Sequence, residues 1–436
     1  MKITLNEGQQ VAVNLLVDGF LSKGLKGATL LGEGGTGKTT CVMAAVEQWL
    51  KAGLRVALTA PTNKAVKQLE KAARQYGISS SQVTFCTIHK ALGLAMLPSE
   101  DTKYAAQVGE CTFDNYDIVG IDEGSMISRV ALFNYILPEI SKVETKLFVM
   151  GDKMQLPPVK EQKALALEMH QFPVAELLQV ERFSEGSSVA AFTKQMREAI
   201  EREMPFKFDA EALGIKAVKP AYFVREVTDF FDHNTDLDEV RVLAWRNSRV
   251  NTVNDAVRKK LYGANIERFG KDERVVTGAP IYEGKDLLLS TDEECIVKAF
   301  QKSSLMYEET GKEYNTYMVT LEPIHAEAAT VYCHVIHESS EMELREDLND
   351  IAIKAKKSGA KSLWGKYHEL KDLFSDLKYC YCITIHRSQG STFKTVFLDV
   401  NDILENRNRQ ERNKLLYVGG SRTAETLIVS KEKFTS

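Results

Sequence analysis

The sequence predicts an α/β protein with two parallel-sheet cores, the second split by an inserted segment of short strands and helices. Three observations lead there. Strand-like and helix-like segments alternate from the start to about residue 183, the pattern of a parallel sheet flanked by helices. The alternation resumes at "EVRVLAWRN" (239–247), with the helical "SRVNTVNDAVRKKLYG" behind it, and then breaks off. Apolar strands return only at "KYCYCITIHRSQG" and "TVFLDV".

The first core opens on "GATLLGE", which reads as a buried strand, and "TTCVMAAVEQWLKAG", which reads as an apolar-faced helix ending at Gly53. Between them Gly32, Gly37, Lys38 and Thr39 complete the spacing G-x-x-x-x-G-K-[ST]. Such a loop turns several N–H groups toward a phosphate chain, and the helix behind it adds its positive end. Lys38 then meets the outer phosphates and the Thr39 hydroxyl a Mg²⁺ ion. The further strands are "RVALTAP", "YDIVGIDE", "KLFVMGD" and "AELLQVER". "YDIVGIDEGSM" delivers Asp122 and Glu123 at a strand's carboxyl end, the usual partner of a phosphate loop. Asp122 is expected to hold the metal shell and Glu123 to polarise a water. Gln155, beyond "FVMGD", reads equally as a γ-phosphate contact or as a polar turn held by Pro157 and Pro158. Arg182 and the distal Arg422 are cations suited to charge that develops in phosphoryl transfer.

Past the second alternating stretch, short strands with turns fill about 266–338 and suggest a small β-barrel. A charged run at 338–376 follows, readable as two helices broken at Gly359 and, by default, a solvated pair. Cys380 and Cys382, one residue apart in a strand-like run, are expected to face the same side.

Composition bounds the function without naming it. At 436 residues there is room for roughly three domains of about 150 residues. Content of 44% apolar and 27% charged residues suits a globular protein, no stretch approaches ~18 uninterrupted apolar residues, and "MKITLNEGQQ" is not a signal peptide. Seven cysteines without a C-x-x-C pair suggest reduced, packed thiols in a cytoplasmic protein, with neither zinc nor a disulfide framework. A net charge of −4 argues against an indiscriminate nucleic-acid binder but leaves room for a locally basic channel. A phosphate loop alone also serves kinases and GTPases. "TNKAV" lacks the aspartate of the guanine-reading motif, and a kinase has little use for so much second core.

The ordered set "GEGGTGKTT", "LTAPTNKAVKQL", "TIHKALGL", "GIDEGSM", "GDKMQLPPV", "VERF", "TIHRSQGSTF" and "LLYVGGSRT" resembles the motif series of superfamily 1 DNA helicases, and within it the RecD-like branch. The resemblance covers nearly the whole chain. It implies two RecA-like parallel-sheet cores (1–185; 186–265 with 377–436), a small wedge insertion at about 94–113 in the first, and an SH3-like β-barrel plus helical strut at 266–376 in the second. It implies ATP with Mg²⁺ as cofactors, held by Gly34, Gly35, Thr36, Gly37, Lys38, Thr39 and Thr40, with Gln9 reading adenine. Thr39 and Asp122 take the metal, Glu123 is the base, and Gln155, Arg182 and Arg422 meet the phosphates. Gln389 and Gly390 couple ATP to DNA. DNA contacts fall on Pro61, Thr62, Asn63, Thr87, His89, Trp245, Asn247, Thr384 and His386, at strand ends where open α/β sheets bind ligands. Without the family, His89 and His386 also read as strand-end caps, and Trp245 as core. The resemblance further implies ATP-driven unwinding with 5′ to 3′ movement on single-stranded and forked DNA. It implies a monomer, a single-strand-binding or replication protein as partner, no membrane, and, as among phage members, phage DNA replication in the host cytoplasm. A rival reading with the same motifs is an ATP-gated clamp that remodels protein–DNA complexes without unwinding. Three departures stand out. Gly420 replaces an apolar residue beside Arg422 and is expected to loosen that arginine. Gly124 replaces a β-branched residue, and Asn63 offers no aromatic face.

Overall fold

The computed structural model describes residues 4–99, 102–158, 160–181, 187–205, 209–284, 286–324 and 330–431. The chain divides into two compact units: Met1–Leu94 with Gln107–Val253 and Cys382–Ser436, and Ala95–Ala106 with Asn254–Tyr381.

The first unit opens with helix α1 (Glu7–Leu21), started by a capping box in which Asn6 and Gln9 each accept the other's backbone N–H. Strand β1 (Gly27–Gly32) leads into helix α2 (Lys38–Lys51), and β2 (Val56–Ala60) into helix α3 (Asn63–Gln75), whose N-cap is Thr62. Strand β3 (Val83–Thr87) is followed by the paired β4 (Leu94–Ser99) and β5 (Thr102–Gln107). Then come β6 (Ile118–Ile121), β7 (Lys146–Gly151) and β8 (Val174–Leu177). Excluding β4 and β5, these strands form one parallel sheet in the order β3-β2-β6-β7-β1-β8. Its strands β1, β2 and β6 are buried throughout, as continuous apolar runs require when helices cover both faces. Trp49 of α2, fully buried, stacks on Phe20 of α1 at 5.7 Å and meets Phe148 of β7 at 5.7 Å, fixing both helices to the sheet.

A second parallel sheet begins with β9 (Lys216–Val218) and β10 (Val240–Ala244). Helix Asn247–Tyr262 then carries the chain into the second unit. There β11 (Arg274–Thr277), β12 (Ile281–Glu283), β13 (Asp286–Leu289), β14 (Glu294–Tyr307), β15 (Lys312–Pro323), β16 (Val331–Ile336) and β17 (Leu377–Tyr379) build antiparallel structure. Five strands run in the order β16-β15-β14-β11-β17, and the hairpin β12–β13 shares their core through Ile281 and Leu289. The short strands expected here are partly wrong. "QKSSLMYEETGKEYN" prolongs β14 and β15 into a hairpin of 14 and 12 residues. Its far end is held by Tyr307 and Tyr314 packed on Leu344 and Leu370 of the two following helices, a contact that strand propensity does not reveal. Those helices are Glu338–Ser358 and Lys361–Asp372, separated at Gly359 as the charged run suggested.

The chain returns to the first unit with β18 (Cys382–Thr384), β19 (Phe393–Leu398) and β20 (Thr423–Ser430), completing the parallel order β18-β10-β19-β20-β9. The expected continuous strand through Cys380 and Cys382 is therefore corrected. "KYCYCIT" breaks at Cys380–Tyr381: β17 pairs with β11, and β18 pairs with β10. The apolar run serves two sheets in turn, so the two thiols share no strand face.

Candidate nucleotide and nucleic-acid sites

The phosphate loop spans the carboxyl end of β1 and the start of α2. Gly37 takes φ 86, and a Cβ there would sit 2.3 Å from Gln9 Nε2, so glycine is required for both reasons. Lys38 Nζ donates to the carbonyls of Gly32 (2.6 Å) and Glu33 (2.9 Å). Thr36, fully buried, donates its hydroxyl to Glu33 O. Gln9 is buried beneath the loop. Its Oε1 accepts Asn6 N–H and its Nε2 donates to Thr36 O at 3.0 Å. In this arrangement the amide braces the loop, and Gln9 does not line the adjoining cleft.

That cleft, about 490 Å³, is lined by Gly34, Gly35, Gly37, Lys38, Thr39 and Thr40 of the loop, Asp122 and Glu123 after β6, Asp152 and Gln155 after β7, and Gly390, Thr392 and Arg422 of the second sheet. The volume is that of a nucleotide-sized site. Glu123 adopts φ 50, and its N–H donates to Asp122 Oδ1 at 2.7 Å. Burial, then the Glu123 carboxylate, pushes Asp122 above the usual carboxylate range, the setting in which a cation is favoured. Gln155 is buried, and its Oε1 accepts Gln389 Nε2 at 3.4 Å. Gln155 sits in the turn after β7 and lines the cleft. Arg422 lies at the end of helix Arg409–Ser421, its guanidinium held by carbonyls of Val418 and Ser391 and by the Ser421 hydroxyl. Arg182 lies outside the described residues.

The glycine departures have packing causes. Gly419 and Gly420 sit buried inside helix Arg409–Ser421. A Cβ would meet Leu398 Cδ1 at 2.5 Å from Gly419 and the buried Phe192 ring at 2.3 Å from Gly420. The pair lets the helix that ends at Arg422 approach closely. A Cβ on Gly124 would likewise meet Val149 at 2.5 Å.

The sequence-based DNA set gathers elsewhere. Pro61, Thr62 and Asn63 follow β2, Thr87 ends β3 and His89 follows it; these strands are neighbours at one edge of the first sheet, with Ala60 opposite Thr87. Thr384 ends β18 and His386 follows it, and Trp245 and Asn247 follow β10; these strands are neighbours at an edge of the second sheet, with Ala244 opposite Thr384. Thr62 and Thr87 also cap helices, through the N–H groups of Ala65 and Lys90. Burial lowers His89 and His386, favouring their neutral forms. Trp245, half-buried, is not simple core. The buried Asp402 carboxylate accepts the N–H groups of Trp245 (2.8 Å) and Arg246 (2.9 Å) and the Arg246 Nε (2.6 Å), fixing this turn.

Sequence reasoning missed Asp402, and it missed Asp152, whose Oδ2 accepts the Tyr417 hydroxyl at 2.6 Å and so joins the first sheet to the second. Asp152 ends a strand just as Asp122 does, a signal that was available. It also missed Arg197, which pairs with Glu33 of the phosphate loop.

A phosphate loop, strand-end carboxylates and an arginine from a second parallel sheet define a P-loop nucleoside triphosphatase of the two-core kind. Residues 4–213 match the AAA domain family, and residues 379–430 match the UvrD-like helicase C-terminal domain. An uncharacterised protein of Acanthamoeba polyphaga mimivirus is 22% identical over 97% of this chain and 99% of its own length. The ATP-dependent DNA helicase Dda of phage T4 is 23% identical over 96% and 97%. The RecD subunit of Mycolicibacterium smegmatis RecBCD is 31% identical over 41% of this chain and 33% of its own. Among solved structures, Bacteroides Pif1 bound to single-stranded DNA has the same fold, with TM-score 0.53 and 15% identity over 99% of this chain and 93% of its own. The chain is a superfamily 1 helicase of the RecD-like branch, related to Dda.

Proposed function

We propose that this ATP-dependent DNA helicase moves 5′ to 3′ on single-stranded DNA, gripping it along the β2–β3 edge of the first sheet and the β10–β18 edge of the second. The observation that carries the reading is the separation of the two sets. The residues assigned to nucleotide line a cleft at the ends of β1, β6 and β7, beside α3 and on the facing second sheet, and those assigned to DNA follow the outer strands of both sheets. Closure of the cores around nucleotide then shifts one DNA edge against the other. The T4 relative is an ATP-dependent DNA helicase, and a Bacteroides Pif1 of like fold was solved with ADP-AlF3 and single-stranded DNA.

In this reading Lys38 and the loop N–H groups bind the phosphates, Glu123 orients the attacking water, and Gln155, Arg422 and Arg182 surround the γ-phosphate. Gln389 and Gly390 relay its presence to the second sheet. Mg²⁺ would be held by Thr39 and Asp122, and it supplies positive charge to the phosphate oxygens. Gln9 supports the loop, and reading the adenine requires its amide to leave Thr36 O. Residues 1–185 form the first core; the second, expected at 186–265 and 377–436, takes 186–253 and 382–436, and the SH3-like barrel with its helical strut takes 254–381. The paired β4–β5, within 94–113, act as the wedge. Opening a base-pair step costs about 1.4 kcal/mol in stacking, and one side chain stacked on a freed base returns about 1–3 kcal/mol, so a hairpin is sufficient. The protein works as a monomer on forked DNA, with a single-strand-binding or replication protein beside it, in the cytoplasm of the host where a phage encodes it.

The test is strand separation on forks with a 5′ or a 3′ single-stranded tail, with ATPase measured in parallel. Unwinding should need the 5′ tail, and removal of residues 97–109 should abolish it while DNA-stimulated ATPase persists. A need for the 3′ tail reverses the assigned direction. DNA-stimulated ATPase with no unwinding by the intact chain favours the ATP-gated clamp.

A further inference from the structure

An acidic residue inside a loop that must hold anionic phosphates calls for an explanation. Glu33 is the second residue of the phosphate loop, and it is half-buried. Its Oε1 accepts Arg197 Nη1 at 2.8 Å. Its main-chain carbonyl accepts both Lys38 Nζ and the Thr36 hydroxyl at 2.9 Å. Arg197 lies on helix Ser188–Glu201, which packs on helix Arg409–Ser421 and on β20 of the second sheet. It also pairs with Glu176 (3.2 Å) and Glu201 (3.0 Å). One loop residue is thus tied by its side chain to the second core and by its backbone to the phosphate-binding lysine.

We propose that Glu33 and Arg197 form an electrostatic gate on nucleotide release, in which Arg197 masks the Glu33 carboxylate while the cores are docked and uncovers it when they part. The inference rests on the assignment of the cleft as the nucleotide site. A docked Arg197 leaves the loop's net field positive, and phosphate is held by Lys38 and the N–H groups. When the second core swings away, Arg197 leaves with it. The bare carboxylate then stands beside the phosphates and repels them, at the stage when product must leave. Arg197 is a positioning residue here, since it acts on nucleotide through Glu33. Burial raises the pKa of Glu33 and Arg197 opposes that rise, consistent with an ion pair that depends on docking.

The test uses the full chain and a fluorescent N-methylanthraniloyl-ADP to measure affinity and release rate, with KM and kcat for ATP alongside. Arg197→Gln leaves a permanently bare carboxylate. It should weaken binding and raise KM at least tenfold, the scale of one unit charge about 12 Å away at protein-surface dielectric. The defect should shrink with added salt. The deciding result is rescue: Glu33→Gln combined with Arg197→Gln should return affinity to within about twofold of the parent. Glu176→Gln and Glu201→Gln, which remove the other pairs of Arg197, should leave affinity parental. A double variant as weak as Arg197→Gln overturns the gate, because a merely structural loss is not cured by removing a further bond. Should Arg197→Gln not fold, Glu33→Gln alone decides: slower ADP release supports the gate, and faster or unchanged release overturns it. A parent that binds no nucleotide overturns the site assignment itself and the gate with it; a parent that binds while rescue fails overturns the gate alone.

Discussion

Tyr417→Phe removes one hydroxyl and leaves the ring in place, so it isolates the bond that joins helix Arg409–Ser421 to the end of β7. The hydroxyl donates to Asp152 Oδ2 at 2.6 Å, with Tyr417 0% and Asp152 2% exposed. Asp152 keeps only the Met154 N–H, on its other oxygen, at 2.9 Å among its described side-chain bonds. A buried acceptor that loses its donor costs about 1–3 kcal/mol. Because the two ends belong to different cores, that is roughly a 5–150-fold shift toward separated cores. The urea midpoint should fall without a change in slope, and KM for ATP should rise. A second arm comes from pH. Burial, then the Asp152 carboxylate, holds the Tyr417 hydroxyl well above its ordinary 10. A group raised on folding contributes stability below its unfolded value and loses it as pH rises toward the folded one. The parent therefore loses stability above about pH 10 through this tyrosine. The phenylalanine variant has no proton to lose there, so its deficit should narrow. Unchanged urea midpoint and KM, or a deficit constant across that range, would refute the assigned bond.

Two further outcomes follow from the cleft and the helix beside it. Glu123→Gln should keep ATP binding and lose turnover, measured by nucleotide titration and steady-state ATPase; near-parental hydrolysis would remove Glu123 as the base. Gly420→Ala should destabilise by about 1–3 kcal/mol through overpacking on Phe192, and it should lower DNA-stimulated ATPase by displacing Arg422. A pairing of Gly420→Ala with Phe192→Leu should recover part of both losses, and failure to recover either would refute that cause.

Much of this was legible in the sequence because it is local. The phosphate loop, the carboxylates after β6 and the alternation of β1 to β8 depend on neighbours in the chain, and they stand where the pattern put them. The misreadings arise where distant segments decide. Nothing near Gly420 says that Phe192 lies against it, so a packing glycine reads as a loose one. "KYCYCIT" looks like one strand because both halves are apolar, yet their partners, β11 and β10, lie some thirty residues apart in the chain. Arg197 sits in an unremarked amphipathic helix, and only the fold brings it to Glu33. Charged pairs across the chain leave no periodicity to read.

The chain leaves the second parallel sheet after β10 and comes back as β18, the strand hydrogen-bonded to β10. The pair is parallel, so the chain leaves at the carboxyl end of β10 and re-enters at the amino end of the strand beside it. The antiparallel unit between them behaves as an interchangeable part. Evolution can lengthen or replace it without disturbing strand order, provided a crossover still joins the parallel pair. The motor then stays constant while its attachment is refitted, so lineages sharing the same ATP-driven cores can meet different forks and different company.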